Sequence, residues 1–352
     1  MTSVMRVFFV ALMITIGGHG FTSESHRVDY LYGVADVEDL VAIPDSPWII
    51  GSGVGNWIFQ SGALHLINED AFAASTLDMQ LYTEKVAQAP FSECDGAPDP
   101  EKFSAHGLSL VGQDNGSFFL YVVNHGGRHA VEIFNIKLMG AIPDIDWIGC
   151  VPSPAMTFPN AVAGRADGSI ILSVTFDLKG YMNRLWNEGK LDQTGALFKW
   201  TSALGWVEVE NASLAQNNGI ELSDDEQWAF VVSMPDSSVT RIPLEKNLGQ
   251  STRIELDFYP DNIRRTYDGK LAVAGVENTS LMKVNLCVGV DYPYCAIDFR
   301  ADLIDPESFE VTPLYSGKGD REFGLATTAL RTRSSLWFGS VRRRSILRVP
   351  MD

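Results

Sequence analysis

The sequence predicts an all-β protein, a six-bladed β-propeller around a central channel. Short apolar runs of strand length recur along the whole chain between Gly, Pro, Asp and Asn, as in LHLIN, GSIILSV, WAFVVSM and GKLAVAG. Sustained helical periodicity is scarce, and residues 178–190 form the best helical insertion. Six related segments, each a polar-ended run leading through a turn into an apolar strand, begin near residues 38, 106, 160, 218, 262 and 325. Their intervals are irregular but close to the length of one four-stranded blade, and six such units fit the 352 residues.

In chain order, residues 1–20 read as a signal peptide: Arg6 closes a short basic region, residues 7–16 are apolar, and small residues follow. A buried N-terminal helix or an anchor is the alternative reading. The apolar run is short for a bilayer span and no later run is longer, so the expectation is a secreted or periplasmic protein without an integral membrane segment. Residues 21–352 are then a single propeller domain. Lys and Arg number 27 against 44 Asp and Glu, a net charge of −17, which argues against nucleic acid or an anionic membrane face as partner. Cys94, Cys150, Cys287 and Cys295 form an even set, and in an oxidising compartment they favour disulfides. Cys287 and Cys295 could close a short loop, although four cysteines allow three connectivities. No CxxC or HExxH pattern points to zinc.

In a propeller the innermost strand of each blade lines the channel, so equivalent positions of the six units face one axis. In that register the axial residues are Glu38, His106, Asn160, Asn218 and the pair Asp261–Asn262. Each alone reads as ordinary turn chemistry before a strand. Their recurrence beside small or apolar residues instead suggests a cation site, because uncompensated carboxylates there are costly. Carboxylate and amide oxygens suit Ca²⁺ better than Zn²⁺ or copper.

The segments AHGLS, LYVVNH and AVEIF resemble the corresponding stretch of the serum paraoxonase/arylesterase family, and VEDL, PNAVA, NNGIELS, PDNI and TTAL…LWFGSV extend the resemblance over residues 21–352. It implies a calcium-dependent hydrolase of lactones and aryl esters, with Glu38, Asn160, Asn218, Asp261 and Asn262 holding the catalytic Ca²⁺. It further implies that His106 deprotonates the attacking water and His125 relays the proton. A satisfied core histidine and a strand-end hydrogen-bonding residue are the plain alternatives for the two, and His129 reads as a surface residue. The resemblance also implies a second, structural calcium on Asp39 and the backbone of Leu108. Ala161 stands where an acid is expected, which removes one carboxylate from that second site. A disulfide joining the chain ends has no match either, so closure must come from strand pairing, with residues 346–350 against an N-terminal strand.

Loops 52–59, 175–186 and 318–323 would rim the channel mouth, with Trp57, Phe176 and Trp186 as an apolar wall. Two neighbouring readings share the fold: a gluconolactonase/regucalcin-type sugar lactonase, which does not call for the histidine pair, and a non-hydrolytic propeller, either a ligand-binding protein or a strictosidine-synthase-like enzyme. All five ligand positions are kept here, which speaks against the second of these. The expected partner is a small-molecule ester or lactone.

Overall fold

A computed structural model describes residues 27–55, 61–189, 192–289 and 295–351. The predicted signal peptide and Trp57 lie outside the described residues. The chain is almost entirely antiparallel sheet in a propeller-like arrangement. Four of the predicted units stand as separate four-stranded meanders, over residues 105–152, 157–208, 217–255 and 259–317. The remaining eight strands form one continuous sheet, because Val37 of the first inner strand pairs with Ser340 across the seam where the chain ends meet.

The local signals act as read. In three units the turn after the inner strand is DNGS, ADGS or YDGK. Gly116, Gly168 and Gly269 each adopt φ of 80°, 80° and 83°, where a side chain would be strained. The same backbone bond closes each turn, from Gln113, Arg165 and Thr266 to Ser117, Ser169 and Lys270 at 2.8, 3.0 and 2.8 Å. Alternate residues of the strands fill the gaps between sheets with Phe, Trp, Val and Ile: Phe103, Phe134 and Trp147 in one cluster, Tyr121, Val162 and Trp200 in the next.

The inner strands are Val37–Ala42, Ala105–Gly112, Thr157–Gly164, Asn217–Leu222, Tyr259–Arg265 and Ala326–Arg331. Each touches the next, and the last returns to the first, so they form a closed ring. Closure near the termini follows the expected route. Asp29–Tyr32 pairs antiparallel with Ser345–Pro350, and Arg348 Nη2 meets Asp29 Oδ2 at 2.7 Å.

The helix expected at 178–190 runs over Leu178–Glu188; Asp177 caps it by accepting from Gly180 N at 3.1 Å, and Gly189 ends it with φ of 68°. A second helix, Leu281–Gly289, was not foreseen, because nine residues hold too few turns for a periodic signal and the segment is apolar on most sides. Cys287 on that helix bonds Cys295, and Cys94 bonds Cys150, with Cα separations of 5.7 and 5.8 Å. Both pairings are compatible with an oxidising compartment. No helix among the described residues is long and apolar enough to cross a membrane.

The closing strand should matter to stability. Leu31 is buried against Trp337 and Ile346. Leu31→Ala should therefore cost about 2–5 kcal/mol, read as a lower denaturant midpoint at unchanged m-value. A loss near zero would mean that the closing strand adds nothing to the fold.

Candidate functional site

All six inner strands break register at one place near their first ends. The irregularities fall at Glu38, His106–Gly107, Asn160, Asn218–Gly219, Asp261 and Thr327. A bulge leaves a residue out of the ladder and re-aims its side chain. Five of the six bulges coincide with the axial residues read from sequence, and the sixth adds Thr327. The glycines after His106 and Asn218 have a matching reason. A Cβ on Gly107 would lie 2.5 Å from Ala161 Cα, and one on Gly219 would lie 2.6 Å from Asn262 Cα, so neighbouring inner strands approach too closely for a side chain.

The bulged residues converge. Asn262 Nδ2 donates to Glu38 Oε1, and Asn218 Nδ2 donates to Asp261 Oδ1 at 2.7 Å. Thr327 Oγ1 donates to the Glu38 backbone carbonyl at 2.8 Å. Four oxygens on four strands, Glu38 Oε2, Asn160 Oδ1, Asn218 Oδ1 and Asn262 Oδ1, are buried without a hydrogen-bond partner among the described residues. Buried acceptors are nearly always satisfied, so four together mark a place prepared for something positive. Among the described residues no three His, Cys, Asp or Glu side chains gather as a metal set. The donors here are two carboxylates and three amides, an oxygen-only set that fits a hard cation and not zinc.

Electrostatics agree with that fit. Burial and the Glu38 charge push the Asp261 carboxyl up to about 7, against the pull of Asn218 and His106. Burial by itself lowers His106, but the Glu38 carboxylate, 3.5 Å from Nε2, holds it above its ordinary value. His125 is driven well below the usual imidazole range by burial and by the two histidines beside it.

Three imidazoles stand in a row. His106 Nδ1 lies 2.7 Å from His125 Nε2, and His125 Nδ1 lies 3.0 Å from His129 Nδ1. Phe158 stacks on His125 at 4.7 Å and 17° and meets His129 edge-on. Behind them Asn124 Oδ1 accepts from the N–H groups of Ser104 and Gly126 at 3.1 and 2.8 Å. Its amide donates to buried Glu132 at 3.1 Å, which also takes Arg128 in a bidentate pair and Trp147 Nε1. The loop carrying His125 is thus fixed from three sides.

His129 and Phe158 were missed as site residues, the first set aside as surface and the second not singled out. Only the fold brings the start of one blade under the loop of the preceding one. Asp39 differs from Glu38 and the three amides, since both its oxygens already accept hydrogen bonds. Leu108 turns its N–H, not its carbonyl, to Asp39 Oδ2 at 2.7 Å. Ala161 lies in the apolar cluster with Ile171, Leu197 and Ile220. Phe176 and Trp186 are exposed on the same face as the histidines, at the end of Ile170–Asp177 and on the helix that follows. Phe323 is instead buried against Phe299. A cavity of about 920 Å³ opens at the opposite end of the ring, among Ile43, Leu110, Gly164, Leu222, Arg264 and Leu330, away from the histidines.

No protein-family model matches the sequence, and no curated protein is significantly similar to it. Solved structures do match the fold. A gluconolactonase from Xanthomonas campestris aligns with TM-score 0.53 at 14% identity, over 94% of this chain and 91% of its own. A luciferin-regenerating enzyme aligns with TM-score 0.53 at 12% identity, over 92% and 94%. The chain therefore shares the propeller fold of these structures.

The raised Asp261 has a measurable consequence in cation-free protein. A group whose folded pKa lies above its unfolded value stabilises the fold below the unfolded pKa, and loses that contribution as pH rises through the folded one. Urea midpoints in chelator should therefore fall from about pH 4 to about pH 7 and level off above. Asp261→Asn should flatten that fall, and identical profiles for the two proteins would show that Asp261 is not the group responsible.

Proposed function

We propose that the protein is a six-bladed β-propeller hydrolase of lactones or aryl esters that works with one Ca²⁺ in the channel. The six-blade count takes the eight-stranded sheet as two meanders, Val37–Ala42 opening one and Ala326–Arg331 the other. The observation that carries the function is the pairing of four orphaned buried oxygens with a histidine chain that starts beside them and ends in an exposed ring. The paraoxonase-like order of motifs supports the same reading, as does a fold shared with a gluconolactonase.

Glu38, Asn160, Asn218, Asp261 and Asn262 would hold the ion. When bound, Ca²⁺ would polarise the substrate carbonyl and compensate the Glu38 and Asp261 charges that raise His106. One set of tautomers satisfies both histidine contacts with every N–H directed outward, from His106 Nδ1 to His125 Nε2 and from His125 Nδ1 to His129 Nδ1. His106 Nε2 is then the acceptor on the Glu38 side. As water adds to the acyl carbon, its proton passes to His106 Nε2, the Nδ1 proton moves to His125, and His125 hands its own to His129. The carbon–oxygen bond to the leaving group breaks; that oxygen takes the water's second proton, giving an alcohol or phenol, or the free hydroxyl of an opened lactone, beside a carboxylate, and exposed His129 releases the first proton to solvent. Stacking on Phe158 and the Asn124–Glu132–Arg128 bonds keep the rings in line through the transfer. The gluconolactonase-type reading keeps the same ion and differs by not requiring the histidines.

The test is turnover of phenyl acetate and of γ- and δ-lactones by mature protein, with and without chelator. Activity should require calcium, and turnover that ignores chelator would remove the ion from the mechanism. Asp261→Ala should lose calcium and activity together. His106→Gln should keep calcium and lose about 10²-fold or more in kcat, as expected for loss of a general base. His129→Ala should lose less, and added imidazole should restore it; a variant equal to wild type in unbuffered assay would end the relay beyond His125.

A further inference from the structure

The channel holds three carboxylates, Glu38, Asp39 and Asp261; Asp39 feels the charge of Glu38, and Asp261 feels both. Glu38 and Asp261 belong to the oxygen set described above, whose free acceptors await a cation. Asp39 sits in the opposite condition. Arg264 grips it with two nitrogens, Nε on Oδ1 at 2.7 Å and Nη2 on Oδ2. Leu40 N donates to Oδ1 at 2.9 Å, Thr328 Oγ1 to Oδ1 at 3.3 Å, and Leu108 N to Oδ2 at 2.7 Å. Five donors on two oxygens leave no lone pair for a metal, and a guanidinium already supplies the positive charge.

Arg264 arrives there by strand periodicity. It follows Asn262 by two residues on Tyr259–Arg265, so it faces the channel one step deeper than the ligand set. Its third nitrogen, Nη1, reaches the Ile220 carbonyl at 3.3 Å. Arg264 is 4% exposed, and it also lines the cavity at the opposite end of the ring. Ala161, where the paraoxonase resemblance would place an acid, packs in apolar surroundings.

We infer that Arg264 is a built-in counter-ion occupying the place of a second, structural cation, so that this chain takes one Ca²⁺ and folds without any. The charges balance on that assignment: Arg264 neutralises Asp39, and one divalent ion neutralises Glu38 and Asp261. The same side chain partitions the channel between the histidine end and the opposite cavity. The count of one rests on the calcium reading of the Glu38 set, whereas the role of Arg264 does not.

The experiment is calcium stoichiometry by equilibrium dialysis of the full mature chain, combined with a stability cycle over Asp39→Asn, Arg264→Met and the double variant. Wild type should stay folded in chelator and bind one Ca²⁺ per chain. The double variant should also bind one, and Glu38→Gln should bind none. Each single change strands a buried partner and should lower the denaturant midpoint, whereas the double variant should recover much of the loss. Two ions on wild type, unfolding of wild type in chelator, or loss of the ion in the double variant would overturn the inference. If a single variant does not fold, folding of the double variant is itself the recovery. No ion on wild type would sink the calcium reading instead, and the cycle would then decide Arg264: recovery supports its role, and additive losses refute it.

Discussion

One buried ion pair ties the inner strands together across the channel. Asp39 and Arg264 lie on different inner strands, and their bonds reach three more, through Leu108, Ile220 and Thr328. A ring of strands packed side by side has no hydrogen-bonded ladder across its middle, because each ladder runs within a blade. What crosses the axis must be side chains, and in a narrow channel polar ones have to satisfy each other. A bidentate guanidinium on a carboxylate does this with fixed geometry, and it levels five strands against one another at the depth where the ligand residues begin.

Above that level the six bulges do the rest. Each takes one or two residues out of its ladder, so that side chains from six separate stretches meet near the axis. Convergence of like-charged and acceptor-only groups is unfavourable by itself, as the elevated Asp261 and the unpartnered amide oxygens record. Such a cluster persists because the surrounding blades hold the bulged backbone in place, and a bound cation, as proposed, would turn the arrangement from a cost into a binding site. The histidine row is built differently. It hangs on one blade, braced by Asn124, Glu132 and Arg128, and gains its outer wall from Phe158 of the next.

The shared fold with a gluconolactonase and a luciferin-regenerating enzyme, at 14% and 12% identity, speaks for the scaffold and not for the reaction. On that scaffold this chain carries an amide-rich oxygen cluster, three imidazoles in an edge-to-face row on one side, and an arginine in the channel beneath. The first two recommend acyl transfer to water. The third separates that chemistry from the opposite mouth, whose cavity shares Arg264 and no other residue of the site.

Strand-length apolar runs, turn residues and the recurrence of one pattern along the chain were enough to read an all-β propeller, its closing strand and one helix. The same periodicity put Glu38, Asn160, Asn218, Asp261 and Asn262 in equivalent positions, because a repeated local pattern carries its own register. The second helix escaped, being too short to show a period and partly apolar all round. The sequence could not say which acid is open to a cation and which is already paired. Glu38 and Asp39 are neighbours in the chain, and only the bulge between them, together with an arginine 225 positions away, decides that one is a candidate ligand and the other an anchor. His129 likewise became part of a chain of rings only when the next blade brought Phe158 against it. Local chemistry is written in short stretches of residues; the pairing of charges across a channel belongs to the closed ring.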